Sequence, residues 1–254
     1  MAHPDLATAS AQADALEEKM TRELDEMVVK SVLYQSGDID PAAPRGRPTE
    51  AERKGRYFLM REDPRLQKMP EKPTLIDFFR YRFGPSAHLL QSARLAVRDG
   101  LPEKTVLACL LHDIAVFGLI RSDHGYWGAQ LIEPYVDEEV SWAVRAHQAL
   151  RFYPDEEVGY EYPEAYIRMF GPDYRPDPYV DRDYQEARQH RWYMTARNVT
   201  MYDFYAFDPD TTVDIEEFTD IIGRNFRQPE EGLGYDSSPS SHMWRTIIAP
   251  TRFL

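Results

Sequence analysis

VLACLLHDIAVFGLI, residues 106–120, sets His112 and Asp113 side by side in a run whose other members are all apolar or glycine. A segment of that composition is built for burial, and an ionised carboxylate in an apolar interior costs several kcal/mol unless a charge or a metal accompanies it. Adjacent residues on a continuous helix do not face each other, so the pair cannot satisfy itself. A metal ion held between this helix and its neighbours would take both groups.

Outward from that run the apolar residues recur at helical spacing nearly everywhere. Helices are expected at about 86–99, 103–119, 124–135, 137–151, 183–207 and 214–226, and two polar helices at 11–34 and 50–60 precede them. No glycine-rich phosphate loop, no repeat and no sustained alternation of period two is present, so the chain reads as all-α. Proline-rich stretches suggest three parts: an amino-terminal helical extension over 1–70, a compact metal-binding domain over 71–228 and a carboxy-terminal tail over 229–254. Polar helices outside a compact domain often pair two copies of a chain, which makes a homodimer an expectation.

The 254 residues carry a formal charge of -13 with no dense basic run, which argues against a nucleic-acid partner held through phosphates. A single cysteine, Cys109, gives neither a disulfide framework nor a thiolate zinc site, as expected in a reducing cytoplasm. The first twenty residues lack a basic start followed by an apolar stretch, and the run 106–120 is too short to span a membrane. A cytoplasmic protein is the expectation.

Three further histidines fall on faces predicted to point inward. His88 has Leu89, Ala93 and Ala96 as its apolar flank. His124 heads a stripe with Gly128, Leu131 and Tyr135, where Gly128 permits close approach of another backbone. His147 lies in line with Val140, Val144 and Arg151. Asp203 occupies a core position between Val199 and Ala206, a second misplaced carboxylate. The other histidines, His3, His190 and His242, lie in polar surroundings.

The order His88, His112-Asp113, His124, His147, Asp203 resembles the HD-domain superfamily in its six-ligand form, over roughly residues 75–207. That resemblance implies a helical bundle holding two metal ions bridged by Asp113, with His88, His112 and Asp203 on one and His124 and His147 on the other. Imidazole and carboxylate ligands without thiolate suit iron, manganese or another divalent first-row metal. A bridging carboxylate suits ions about 3.5–4 Å apart.

Six-ligand HD domains include oxygenases and phosphohydrolases, and two details separate them. The segment His88-Leu89-Leu90-Gln91-Ser92-Ala93 is similar to the H-x-x-Q-small-A segment of the mixed-valent di-iron oxygenases, myo-inositol oxygenase and the phosphonate-oxidising enzymes, in which Gln91 would orient a ligand or substrate. Ala115 and Val116 stand where many phosphohydrolases carry Gly-Lys, so a phosphate-gripping cation is missing. Arg151, one turn beyond His147, matches the position of a substrate-binding lysine in phosphonate oxygenases, although residues 200–202 do not reproduce an arginine found there. Arg80, Tyr81 and Arg82 would form a mouth, with Tyr81 touching substrate, and residues 152–170 would form an aromatic lid. The resemblance implies two iron ions in a mixed-valent pair, with Asp113 central to catalysis, acting with O2 on a small hydroxyl-bearing or anionic substrate. The competing reading is a metal-dependent phosphohydrolase of nucleotides or phosphate esters.

Overall fold

The computed structural model describes residues 67–118 and 123–248, together with residues 8, 11, 12, 14–16 and 18–20. The polar helix expected at 50–60 and most of that at 11–34 lie outside the described residues. Among those described the chain is all-α: it has no strand, only a single antiparallel bridge between Asp155 and Tyr160.

Helix α1 (Leu75–Tyr81) is started by a capping box in which the Thr74 hydroxyl accepts from the Asp77 amide and the Asp77 carboxylate accepts from the Thr74 amide. Its buried residues Leu75, Phe78 and Phe79 begin the core. Helix α2 (Ala87–Arg98) follows and buries the face that carries His88, Gln91 and Ala96. Helix α3 (Glu103–Leu111) is buried all round from Thr105 onward, as its composition requires.

The helix expected over 103–119 is two helices. A turn at His112 and Asp113 separates α3 from α4 (Ile114–Gly118). The His112 ring donates through Nδ1 to the Cys109 carbonyl at 2.7 Å, the same carbonyl that a continuing helix would offer to the Asp113 amide. The interruption removes the premise that neighbouring residues must diverge, and His112 Nε2 comes within 3.8 Å of Asp113 Oδ2.

Helix α5 (His124–Ile132) runs into a short 3-10 turn, Glu133–Tyr135, and α6 (Glu138–Leu150) turns back alongside it. Next come α7 (Glu164–Phe170), α8 (Pro178–Ala187) and α9 (Tyr193–Tyr205), the last pair replacing the single helix expected over 183–207. The chain breaks there because the His190 ring stacks on Trp142, centroids 3.9 Å apart, while His190 Nδ1 accepts the Trp192 amide. His190 thus has a structural task that its polar surroundings did not suggest. Asp181 and Asp183 consequently lie within α8 rather than at the end of a longer helix.

Helix α6 is the central strut, packed against α3, α5, α8 and α9. Helix α10 (Thr219–Asn225) and α11 (Ser241–Ile248) complete the fold. Residues between 233 and 248 are built into the core: Trp244 is fully buried against Phe78, ring centroids 4.6 Å apart, and its indole donates to the Leu131 carbonyl at 3.1 Å. The amino-terminal helical segment also docks, through fully buried Leu16, an Asp14–Arg168 ion pair of 2.7 Å and a Lys19 hydrogen bond to the Pro209 carbonyl. No described helix is long and apolar enough to cross a membrane.

Candidate metal centre

Helix ends converge on one point. His88 sits in the first turn of α2, His112 and Asp113 at the α3–α4 turn, His124 at the start of α5, His147 in the last turn of α6 and Asp203 in the last turn of α9. The structure brings all six together, and the four histidines and Asp203 are buried while Asp113 is partly so. Asp113 Oδ1 lies 3.2 Å from His124 Nε2 and 3.4 Å from His147 Nε2. On the other side, Asp203 Oδ1 lies 3.0 Å from His88 Nε2 and 3.8 Å from His112 Nε2. Donor atoms of two triads, His88-His112-Asp113 and Asp113-His124-His147, each lie within 4.8 Å of one another, with Asp113 shared.

The ring tautomers follow from the neighbours. His88 Nδ1 lies 3.1 Å from the Ala206 carbonyl, His112 Nδ1 2.7 Å from that of Cys109 and His147 Nδ1 2.5 Å from that of Val144. A carbonyl only accepts, so each Nδ1 carries the hydrogen and a neutral ring turns an Nε2 lone pair inward. Yet the Nε2 atoms of His88 and His112 are 3.2 Å apart, as are those of His124 and His147. For His88 and His112, whose Nδ1 hydrogens both point away from the centre, the lone pairs facing at that distance repel unless a proton or a cation lies between them. Asp113 Oδ1, buried and without a hydrogen-bond donor among the described residues, makes the same demand. The residues fit a pair of metal ions, and the backbone carbonyls behind the rings fix their orientation, as is usual for metal-ligating histidines.

The electrostatics without metal agree. Burial alone would lower the pKa of His112, but Asp113 and Asp203 outweigh it and push the ring up to about 9. Burial likewise opposes ionisation of Asp113 and Asp203, yet the surrounding imidazoles hold both carboxyls well below the usual range. The Cys109 thiol, desolvated and pushed up to about 12, stays neutral and takes no part except through its carbonyl.

Of the residues expected to touch substrate, Gln91 is engaged by backbone and Tyr81 has no described contact with the cluster. Gln91 spends its amide on the loop after α9: Nε2 donates to the carbonyls of Asp208 at 2.7 Å and Thr211 at 3.0 Å, and Oε1 accepts the Asp208 amide at 2.8 Å. It thereby steadies the stretch whose Ala206 carbonyl lies 3.1 Å from His88 Nδ1, and so positions the His88 ring. Tyr81 ends α1 half-buried, and no described contact joins it to the cluster. Its neighbours Arg80 and Arg82 fasten α1 to Glu216 and to the Ile248 carbonyl and form no mouth.

Arg151 lies within electrostatic reach of the centre. Its guanidinium lies over the rings of Phe152 (4.9 Å) and Tyr166 (5.5 Å), and its buried Nε has no hydrogen-bond partner among the described residues. Burial opposes its charge, but Tyr166, Asp203 and Asp113 hold it firmly protonated. Tyr160 and Tyr166 were not singled out from the sequence, and both phenols sense the Asp203 carboxylate. Burial, reinforced by that charge, keeps them protonated. Arg197 was missed too: it is fully buried, donates to the Leu150 carbonyl that ends α6 and lies over the Tyr160 ring. Only the aromatic density of residues 152–170 signalled this wall; nothing local marks Arg197 as buried.

Behind His124 and His147 a side-chain splint joins their helices. Gln148 Oε1 accepts the Gly125 amide at 2.9 Å, capping α5 from outside, and Gln148 Nε2 donates to Asp123 Oδ1. Gly125 makes this closeness available, since a Cβ there would stand 2.9 Å from the carbonyl oxygens of Val144 and Arg145. Gly128, expected to allow close approach, faces Val144, whose methyl a Cβ would meet at 3.3 Å.

No family model matches the chain. Among curated proteins it is similar to a [1-hydroxy-2-(trimethylamino)ethyl]phosphonate dioxygenase (glycine-betaine-forming) of Leisingera caerulea, 33% identical over 76 residues. That similarity covers 26% of this chain and 39% of the relative, so the chain spans about two fifths of the relative's length.

Proposed function

We propose that this protein is an HD-domain di-iron oxygenase that uses O2 to cleave or hydroxylate a small, polar substrate bearing a hydroxyl and an anionic group. The observation that carries the reading is the pair of inward-facing imidazole couples, each with Nε2 atoms 3.2 Å apart, set on either side of Asp113. A donor set of imidazoles and carboxylates suits iron, with manganese or another divalent first-row ion as the alternative. The dioxygenase activity in the relative's name supports oxygen chemistry, and the missing lysine at Val116 leaves a phosphohydrolase without its usual phosphate grip.

In this reading His88, His112 and Asp203 hold one ion, His124 and His147 the other, and Asp113 both. When bound, the metals supply Lewis acidity and activation of O2. The chain's own residues do the rest. Arg151, whose buried Nε has no hydrogen-bond partner among the described residues, would grip an anionic group of the substrate. Tyr166, kept protonated by burial, offers an O–H donor at the same wall, while Tyr160 donates its hydroxyl to the Arg151 carbonyl at 2.8 Å and steadies it. Phe152 and Tyr166, backed by Phe170 and Tyr174, exclude water from that side.

The test is anaerobic loading with iron followed by metal analysis, EPR spectroscopy and measurement of O2 uptake. Two irons per chain, a mixed-valent signal and substrate-dependent O2 consumption are expected. Iron-replete protein that hydrolyses phosphate esters and shows no such signal would overturn the assignment in favour of a phosphohydrolase.

A further inference from the structure

A cleft of about 280 Å³ lies between the start of α5, one face of α6 and the start of α8, on the side of α6 away from the ligand His147. Asp123 stands at its inner edge in an unusual way. It occupies the N-cap position of α5 but adopts a left-handed backbone, φ 52° and ψ 36°, and makes no capping hydrogen bond. An aspartate in that position ordinarily accepts an amide of the first turn. Here Gln148 takes over the cap, and the Asp123 carboxylate turns to the Tyr179 hydroxyl at 2.5 Å. Among the described residues it has no cationic partner.

Arg145 lines the same cleft from α6, with its guanidinium over the Tyr126 ring at 5.4 Å and no carboxylate in ion-pair range among the described residues. The remaining acid of the lining, Asp183, has Arg182 beside it. One uncompensated charge of each sign therefore borders a small cavity whose walls include the rings of Trp127 and Tyr179. Aromatic faces favour an ammonium group and a flat apolar body, and an arginine fork favours a carboxylate.

We infer that this cleft binds a small zwitterion, a molecule with one ammonium and one carboxylate on a flat apolar body, at a site separate from the metal centre. The ammonium lies toward Asp123 and the carboxylate toward Arg145. The cavity is near the lower limit for small-molecule sites, which restricts the occupant to about the size of an amino acid. Such an occupant bears directly on the splint that joins the helices of His124 and His147. The inference does not depend on the oxygenase reading.

The probes are L-phenylalanine, phenethylamine, which keeps only the ammonium, and phenylacetate, which keeps only the carboxylate. Each is titrated calorimetrically into the full chain, metal-loaded and metal-free, with Trp127 fluorescence as a second signal. L-phenylalanine is expected to bind both forms, at least ~10-fold more tightly than either half-probe. Asp123→Asn, which tolerates the left-handed backbone, should abolish its advantage over phenylacetate. Arg145→Gln, at an exposed position, should abolish its advantage over phenethylamine and leave metal content unchanged. Binding that requires the metal ions places the ligand at the metal centre and overturns the inference. So does L-phenylalanine binding unaffected by Arg145→Gln, or no binding of any probe at about 5 mM. If Asp123→Asn fails to fold, the Arg145→Gln comparison alone decides.

Discussion

Asp113 Oδ1 lies within 3.4 Å of two imidazole nitrogens and has no hydrogen-bond donor among the described residues, a poor situation for a buried oxygen unless a cation is bound. Asp113→Asn keeps the shape but loses the charge shared between the two triads. Metal analysis should show loss of both ions rather than of one; full metal content in this variant would contradict the bridging role. The metal-free protein gives a pH test at the same scale. Because the folded pKa of His112 is raised to about 9 from an unfolded value near ~6.5, its contribution to stability is complete below ~6.5 and lost as pH rises through about 9. Thermal melts of metal-free protein should therefore weaken across that window, and metal-loaded protein, whose His112 has exchanged its proton for metal, should not. The depressed Asp113 and Asp203 act in the opposite sense, with stability lost only as the solution becomes strongly acid. Arg151→Gln should raise KM for an anionic substrate by roughly 10–100-fold with a much smaller change in kcat, since it removes a charge-assisted contact made before chemistry.

At the scale of elements, the second triad depends on how closely α5 approaches α6. The Gln148 splint caps α5 and ties it to the residue after His147, so Gln148→Ala should cost roughly 1 kcal/mol in thermal stability, as loss of a helix cap does. Metal affinity should fall more at the His124–His147 site than at the other, and equal weakening of both would argue against a local splint. Gly125→Ala is more severe: a Cβ at 2.9 Å from two carbonyl oxygens forces the helices apart, at a cost of roughly 1–3 kcal/mol. The break between α3 and α4 is an element-scale device as well. It turns two adjacent residues, which a straight helix would direct apart, toward one centre.

Over the whole molecule, Leu233, Trp244, Ile247 and Ile248 are part of the core. Trp244 packs on Phe78, Phe83 and Tyr135 and ties α11 to the end of α5 through the Leu131 carbonyl. Trp244→Ala should therefore destabilise the fold by roughly 3–5 kcal/mol in chemical denaturation, although the residue lies outside the metal centre. An effect below ~1 kcal/mol would mean that the carboxy-terminal helix is dispensable. Helices α3, α5 and α9 pack on α6, and α2 packs on α3 and α9, which explains how residues from 88 to 203 reach one site.

The all-α architecture and the inward placement of His88, His112, His124, His147 and Asp203 were legible in the sequence, because helical periodicity directly encodes which face is buried and a polar group on that face stands out. Helix breaks were not. Those at 112–113 and 188–192 arise from histidine rings bonding to nearby backbone or stacking on a distant tryptophan, and periodicity carries no trace of either. The roles of Gln91 and Tyr81 were read from position, but a side chain's task depends on what reaches it. The loop 208–211 claims Gln91, and no described contact brings Tyr81 to the cluster. Arg197, Tyr160 and Tyr166 show the converse, polar residues in unremarkable sequence that burial turned into a wall of the site. The sequence by itself determined which groups required compensation; only the tertiary structure decided which partners supply it, since those partners are separated by tens of residues along the chain.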